Sequence, residues 1–149
     1  MTYTKSMPEL PEVETVARGL ENLIVGKQIL NIDFDWLKSF PNDPQLINKY
    51  LVGAKVVGVK RRAKVIIIGL DGDYSLLVHL KMTGQLVFVD KTKRFGAGHP
   101  NDSLVHKLPD KSTRVSFTFD DKSTLFFNDQ RKFGWIKLVA NSKLDDHEF

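Results

Sequence analysis

Cysteine is absent from this chain of 149 residues, which excludes a disulfide framework and a zinc site with thiolate ligands. Long apolar runs are absent too: none approaches the roughly 20 residues that a membrane-spanning helix needs. The histidines show no spacing typical of metal ligands; they are His79, His99, His106 and His147. We therefore expect a soluble, cytoplasmic protein with no cofactor in this chain and no membrane partner.

Charge is modest in amount but uneven in distribution. The net charge is +4, and basic residues concentrate at positions 60–64 and 91–94. Basic segments of this kind are the electrostatic footprint of proteins that bind phosphate groups, although they also occur on ordinary solvated surfaces. A hydrophobic content of 42% is enough for one globular domain with a substantial core.

Two helices are predicted from apolar spacing and from start and stop residues. The first begins at Pro11 and stops at Gly26, and its apolar residues recur every three or four positions at Val13, Val16, Ala17, Leu20, Leu23 and Ile24. The second is a short helix from Pro44 to Gly53, and Asn42 and Asp43 before it supply the capping signal.

Period-2 alternation and β-branched runs predict strands over most of the remaining chain. The predicted strands cover residues 28–36, 55–59, 65–68, 75–80, 85–89, 113–119, 124–127 and 134–139, and residues 90–111 are predicted to be a long polar loop. The expected fold is mainly β with two α-helices: an antiparallel β-sandwich or flattened barrel with an N-terminal amphipathic helix.

The segment from Met7 to Thr15 has an unusual composition. It contains two prolines and three acids and reads Met7-Pro8-Glu9-Leu10-Pro11-Glu12-Val13-Glu14-Thr15. Each proline holds the preceding residue extended, so residues 8–10 form a short rigid segment at the start of the helix, with carboxylates close by. Two interpretations are open. The segment either does no more than start the helix, or it also presents functional groups.

Three later segments place basic, aromatic or sulfur-containing residues at turns. They are Arg61-Arg62-Ala63-Lys64, His79-Leu80-Lys81-Met82-Thr83-Gly84-Gln85-Leu86 and Asn128-Asp129-Gln130-Arg131-Lys132-Phe133-Gly134. Taken singly, the first is typical of a basic strand edge and the second of a core methionine. Met82 beside Gly84 is nevertheless better placed for exposure than for burial.

Together with residues 7–15, these segments resemble, in order, the motifs of formamidopyrimidine-DNA glycosylases, bacterial base-excision repair enzymes related to the endonuclease VIII group. The resemblance covers nearly all of this chain but only the N-terminal half of the family. It implies a monomer that binds damaged double-stranded DNA at the nucleoid. The family's helix-two-turn-helix domain and its zinc finger, which binds one Zn²⁺, would belong to the half that this sequence does not contain.

By this resemblance the catalytic residues are Pro8, Glu9 and Lys64, with Glu12 as a second candidate carboxylate. In the family the initiator methionine is removed, and the exposed proline attacks the sugar C1′ to form an iminium intermediate. Because an α-amino group has a pKa of about 8, much of it is unprotonated at working pH. Glu9 would be the acid/base partner. Lys64 would contact the DNA backbone at the lesion and assist proton transfer.

The resemblance also implies residues that bind DNA. Met82 would fill the hole left by the flipped base, Arg131 would read the orphaned partner base, and Phe133 would wedge into the stack. His79 would lie near backbone phosphates, and Lys132 would also bind DNA. The chain departs from the family pattern at three places. Gln130 replaces a proline, and Lys132 replaces a second arginine that could bind phosphate bidentately. The segment Lys111-Ser112-Thr113-Arg114 stands where many family members have DNA-contacting histidines.

Residues 1–6 precede the motif, and while they are attached Pro8 is an internal amide that cannot attack a sugar. We expect a leader at 1–6, the N-terminal catalytic domain at 7–140 and a truncated linker at 141–149. The leading hypothesis is a glycosylase and AP lyase that removes oxidised purines such as 8-oxoguanine and formamidopyrimidines through a proline Schiff base and β,δ-elimination. The alternatives are a non-catalytic module that binds damaged DNA and a fragment that binds DNA too weakly to matter.

Overall fold

The computed structural model describes residues 9–147, and the predictions made for Met7 and Pro8 lie outside this range. The first helix, α1, spans Leu10–Ile24. Its apolar stripe is buried at Val13, Val16, Ala17, Leu20 and Ile24, as the spacing predicts. Gly26 adopts a left-handed conformation just after the helix, which explains why the helix ends there. The short second helix, α2, spans Pro44–Leu46 and continues as a π-helical turn at Ile47–Leu51, with the Asp43 side chain as its cap.

The described residues form nine strands, and most of them match the predictions to within two or three residues. They are β1 (Ile29–Phe34), β2 (Val56–Arg62), β3 (Val65–Leu70), β4 (Tyr74–His79), β5 (Gly84–Val89), β6 (Arg94–Gly98), β7 (Thr113–Phe119), β8 (Thr124–Asp129) and β9 (Trp135–Ala140). Five of them form one antiparallel sheet in the order β1-β7-β8-β5-β6, and four form a second in the order β2-β3-β4-β9. The predicted sandwich is confirmed.

The core lies between the two sheets and is closed on one side by α1. Alternating residues of β7 point into it, and Phe117 and Phe119 are both almost fully buried together with Phe88 and Phe127. The helix packs against β2 and β6, which belong to different sheets. It therefore holds together two edges that would otherwise be open.

The prediction of one long polar loop at residues 90–111 is wrong for residues 94–98 and 102–104. This region contains β6, which among the described strands pairs with β5 alone and so forms an edge of the sheet, and a 3-10 turn at Asp102–Leu104. The sequence of β6, Arg94-Phe95-Gly96-Ala97-Gly98, carries one large apolar side chain and two glycines, so it shows no period-2 signal. Its Phe95 ring packs directly against Gly19 of α1, which is what holds the strand to the helix.

Residues 141–149 were predicted as a truncated linker, and the structure places a 3-10 helix at Asn141–Asp146. Leu144 of this helix packs on the outer face of the four-stranded sheet, against a small cluster around Ile67 and Leu77. Whether the segment also links to a further domain stays a prediction. Within residues 9–147, no helix is long and apolar enough to cross a membrane.

Candidate functional site

Strand register brings several turns to one edge of the sandwich, which we call the loop edge. It consists of the turns at residues 63–64, 80–83 and 130–134 and the segment 35–39 after β1. In the four-stranded sheet, Arg62 pairs with Val65, Val65 with His79, and His79 with Trp135. In the other sheet, Gly84 pairs with Asp129 and Phe34 with Val115. Residues far apart in sequence are therefore neighbours at this edge.

Glu9 and Lys64 face each other at the loop edge. Glu9 is the extended N-cap of α1, and its backbone carbonyl accepts hydrogen bonds from the first turn of the helix. Lys64 follows Ala63, whose positive φ of 52° makes the tight turn between β2 and β3. The Lys64 Nζ lies 3.9 Å from the Glu9 Oε2, and both side chains remain partly exposed. A carboxylate and an ammonium group thus lie close together at the loop edge, and the carboxylate belongs to the residue directly after Pro8. Pro8 is outside the described residues.

A second ion pair, which sequence reasoning missed, fastens α1 to β2 behind these two groups. The Glu14 Oε2 lies 2.6 Å from the Arg61 Nε, and Glu14 also pairs with Arg18 one helical turn along. Because Arg61 is three residues from Lys64, this contact fixes how the helix start meets the turn. Both residues belong to segments singled out above, but nothing in their spacing predicted the contact.

Glu12, the second candidate carboxylate, is half-buried in the first turn of α1. Together with Pro11, Thr15 and Val16 it lines a cleft against Ala97 and Gly98 of β6. The cleft exists only because β6 is a strand, so this part of the surroundings could not be anticipated from the predicted loop. A catalytic role for Glu12 stays a prediction.

His79 ends β4 in a half-buried position with a defined tautomer. Burial, together with the nearby charges of Lys81 and Lys64, lowers the pKa of His79 to about 4, so the ring is neutral at pH 7. Its Nδ1 accepts a hydrogen bond of 3.1 Å from the backbone N–H of Lys81. The proton therefore resides on Nε2, which leaves that nitrogen as a neutral hydrogen-bond donor on a ring that is subject to the positive charges of Lys81 and Lys64.

Met82, Arg131 and Phe133 form one contact group, which we call the wedge cluster. The Arg131 Nη1 lies 4.0 Å from the Met82 sulfur, and the guanidinium lies 4.9 Å from the centroid of the Phe133 ring. Phe133 is 51% exposed, although an aromatic ring is usually buried. The three residues that the sequence assigned separately to DNA thus project together from two adjacent turns.

Asp129 is the buried hub that shapes the turn carrying the wedge cluster. Its carboxylate accepts hydrogen bonds from the Thr83 hydroxyl, from the backbone N–H of Gly134 at 2.6 Å and from the backbone N–H of Arg131 at 3.2 Å. The residue has no exposed surface. It therefore joins the Met82 turn to the Arg131 turn. Asp129 lies within one of the motifs, but no pattern in the sequence predicts this role.

Glycine is required where these two turns approach each other. A Cβ at Gly134 would lie 2.8 Å from the His79 carbonyl oxygen and equally close to the Phe127 ring, and a Cβ at Gly84 would collide with the Leu80 backbone. Neither backbone can move without shifting the strands. The glycines in both motifs are thus explained by close packing at the base of the wedge cluster.

Residues 111–114 serve the fold rather than an open surface. Arg114 is buried, donates hydrogen bonds to the carbonyls of Lys111 and Ser112, and pairs with Asp35 at 3.2 Å. The Thr113 hydroxyl donates to the Asn128 side chain at 2.7 Å. Thr113 and Arg114 are therefore engaged in contacts within the sandwich.

The second basic segment, at residues 91–94, lies away from the loop edge. Arg94 pairs with Val89 at the far end of β5, and its guanidinium donates to the carbonyls of Ser103, Leu104 and His106. Arg94 is therefore engaged in holding a neighbouring loop. Of the two basic segments, only the one at residues 60–64 reaches the loop edge.

Comparison with known proteins agrees with this geometry. The family model described as the formamidopyrimidine-DNA glycosylase N-terminal domain matches residues 7–136. The chain belongs to this family. Its match in the formamidopyrimidine-DNA glycosylase of Pediococcus pentosaceus is 38% identical over 137 residues, and that in Ruegeria sp. is 36% identical over 144 residues.

Solved structures of family members share the fold. A Lactococcus lactis formamidopyrimidine-DNA glycosylase, non-covalently bound to DNA that contains an AP site, aligns over 93% of this chain with a TM-score of 0.75 and 29% identity. A second structure of that protein, in complex with THF-DNA and an inhibitor, gives a TM-score of 0.76. This chain spans about half the length of its relatives, covering 45% of the Pediococcus protein and 48% of the Ruegeria protein.

Proposed function

We propose that this chain is the N-terminal catalytic part of a base-excision repair glycosylase that removes oxidised purines, such as 8-oxoguanine and formamidopyrimidines, from double-stranded DNA. The observation that carries the proposal is the meeting, on one loop edge, of the Glu9–Lys64 pair and the wedge cluster, in which Arg131 and Phe133 are exposed and Met82 is half-buried. Base excision needs both features side by side, because the target base must leave the stack before its glycosidic bond can be attacked.

The wedge cluster provides the means to hold the DNA open. Flipping a nucleotide costs a few kcal/mol of stacking and pairing, and inserted side chains offset part of that cost. Phe133 has the exposed ring to enter the stack, while the Arg131 guanidinium carries donors that can read the orphaned base. Met82, in contact with Arg131, would fill the space vacated by the flipped base.

The chemistry is assigned to Pro8, Glu9 and Lys64. With a free N-terminus, the Pro8 nitrogen would form a bond to C1′ of the flipped nucleotide and lose its proton, while the bond from C1′ to the base breaks and the leaving base takes up a proton. Glu9 would protonate the sugar ring oxygen, so that the ring opens to an iminium ion. Removal of a C2′ proton then expels the 3′ phosphate, and a second elimination expels the 5′ phosphate.

Hydrogen-bond donors at and near the Glu9–Lys64 pair can bind the phosphates of the DNA backbone. Lys64 would bind a phosphate at the lesion while remaining within reach of Glu9. The neutral His79 would donate its Nε2–H to a phosphate oxygen without leaving a buried positive charge behind in the free protein. The nearby Lys81 adds to the local positive potential.

The proposal also covers the oligomeric state, the location and the further domains of the whole protein. We expect it to act as a monomer on DNA in the bacterial cytoplasm, with residues 7–140 as one domain. A helix-two-turn-helix domain and a zinc finger would complete the grip on the duplex. Within residues 9–147, no group of three or more acidic or histidine side chains is placed to hold a metal ion.

Preferential binding to a lesion-mimicking duplex tests the proposal. We expect tighter binding to DNA with a tetrahydrofuran abasic analogue than to the undamaged duplex, measured by fluorescence anisotropy near physiological salt. Phe133→Ala should weaken binding to the lesion duplex about tenfold, because an exposed aromatic anchor is lost. Val57→Ala, an exposed apolar residue on β2 away from the loop edge, is the matched control and should have no effect. Equal affinity for both duplexes would contradict the proposal.

A further inference from the structure

Trp36 is an exposed aromatic residue at the loop edge with no role in the chemistry above. It follows β1 and is 37% exposed, and its neighbour Leu37 is 66% exposed. Register places it at this edge, because Phe34 pairs with Val115 at the start of β7 and Thr113 pairs with Asn128 at the end of β8. Large apolar side chains exposed together beside a functional site are typical of a contact surface.

Trp36 is held rigidly in place. The backbone N–H of Asp35 donates to the Arg114 carbonyl at 3.1 Å, and the Asp35 carboxylate pairs with the buried Arg114 guanidinium. On its other side the chain turns within a 3-10 helix at Leu37–Ser39 and enters the core at Phe40, which is fully buried. An exposed ring on so constrained a backbone is preorganised for binding, since little conformational freedom remains to be lost.

Lys132 connects this ring to the wedge cluster. It lies between Arg131 and Phe133 in a left-handed conformation with φ of 61°, so its side chain departs from theirs. Its Nζ lies 4.5 Å from the centroid of the Trp36 ring. The cation–π contact places the exposed Lys132 ammonium group against the Trp36 ring, beside the wedge cluster.

The packing of the sandwich indicates which DNA strand passes there. The helix that carries Glu9 packs against β2 and β6, whereas the turn after Trp36 packs against β9 at the opposite side of the sandwich. Glu9 with Lys64 and Trp36 with Lys132 thus flank the wedge cluster from two sides. Since the flipped nucleotide must go to Glu9 and Lys64, the side of Trp36 is left to the other strand.

We propose that Trp36 and Lys132 form a second DNA-contact surface, which grips the sugar-phosphate backbone of the strand opposite the flipped nucleotide. This inference rests on the proposed function. Lys132 binds a phosphate of that strand, and the deoxyribose beside it packs on the Trp36 ring. The surface holds the partner strand while the wedge cluster separates the two, so lesion recognition uses contacts on both strands.

The lysine is tested by the salt dependence of binding to the tetrahydrofuran duplex. Lys132→Gln should reduce the slope of log Kobs against log salt by about 0.9, the value for one lost phosphate contact. Lys122→Gln is a closely matched control. Both residues are exposed lysines with positive φ, but Lys122 lies in the turn before β8, whereas Lys132 lies in the turn after β8, at the other end of the strand. Equal slopes for the wild type and Lys132→Gln would overturn the inference.

The tryptophan and the strand are tested separately. Trp36→Leu should weaken binding about tenfold with the salt slope unchanged, and no loss of affinity would overturn the role of the ring. For the strand, neutral methylphosphonate linkages are placed one at a time on either strand around the lesion. One linkage opposite the lesion should weaken the wild type but not Lys132→Gln, whereas linkages in the damaged strand should weaken both equally. The reverse pattern would overturn the strand assignment.

Failure of this inference can be told apart from failure of the proposed function. If the wild type binds the lesion duplex no better than undamaged DNA, the proposed function is wrong, and the inference falls with it. If the wild type discriminates normally and both Trp36→Leu and Lys132→Gln behave like the wild type, only the second contact surface is wrong.

Discussion

Replacing Glu9 by glutamine is expected to slow covalent attack on an abasic site by about 10²- to 10⁴-fold, the range typical for loss of a general acid. The side chain keeps its size but can no longer donate a proton to the sugar ring oxygen. Binding should change by no more than about threefold, because a partly exposed ion pair such as Glu9 with Lys64 contributes little. The measurement is the single-turnover rate of adduct formation, in a chain that begins at Pro8.

Glu21→Gln is the control for this substitution, since Glu21 is an exposed carboxylate on the same helix near its other end. It should react at the wild-type rate. If Glu9→Gln reacts as fast as Glu21→Gln, the carboxylate at the helix start is not the acid. Weaker DNA binding with an unchanged rate would assign Glu9 to the DNA interface instead.

Removal of the Asp129 carboxylate has the largest expected effect on stability. Asp129→Ala leaves the Thr83 hydroxyl and the backbone N–H of Gly134 without their buried acceptor, and the backbone N–H of Arg131 keeps only its contact of 3.3 Å with the Thr83 Oγ1. Unsatisfied buried donors are costly, and we expect the free energy of unfolding to fall by about 3 kcal/mol. For a domain of this size the thermal midpoint should drop by roughly 10 °C. Preference for the lesion duplex should fall too, because the wedge turn loses its hub.

Asp73→Ala provides the comparison, because Asp73 is an exposed acid in the turn between β3 and β4, at the edge opposite the wedge cluster. Its stability should change by less than about 0.5 kcal/mol, as is usual at surface positions. Chemical denaturation of both variants measures the difference. Equal stabilities would show that the hydrogen bonds of Asp129 do not support the turn.

Helices and strands whose own residues carry a local sequence pattern could be predicted from the sequence. The helix α1 is predicted by its apolar spacing, its first-turn proline and Gly26. The alternation of apolar and polar residues in β7 predicts the bounds of that strand. The strand β6 could not be found this way. It is held by pairing with β5 and by the contact between Phe95 and Gly19, neither of which leaves a local pattern in five residues with two glycines.

The same distinction applies to the candidate functional site. Motifs placed Lys64, Met82 and Arg131 at turns, and the structure shows those turns at one edge. The contacts that organise the edge depend on partners distant in sequence, such as Asp129 with Thr83 and Lys132 with Trp36. Only the sheet register brings these side chains together, and register is a property of the folded sandwich rather than of a short segment. Pro8 lies outside the described residues, and its role is a proposal from the sequence.

Borohydride trapping on an abasic-site duplex tests the proposed chemistry most directly. Two forms of the protein are compared, one that begins at Pro8 and one that retains residues 1–7, with intact mass confirming each start. We predict a covalent protein–DNA adduct only for the form that begins at Pro8, with peptide mapping placing the bond on that residue. No adduct from either form, or an adduct mapped to a lysine, would contradict the assignment and leave a module that binds damaged DNA without cutting it.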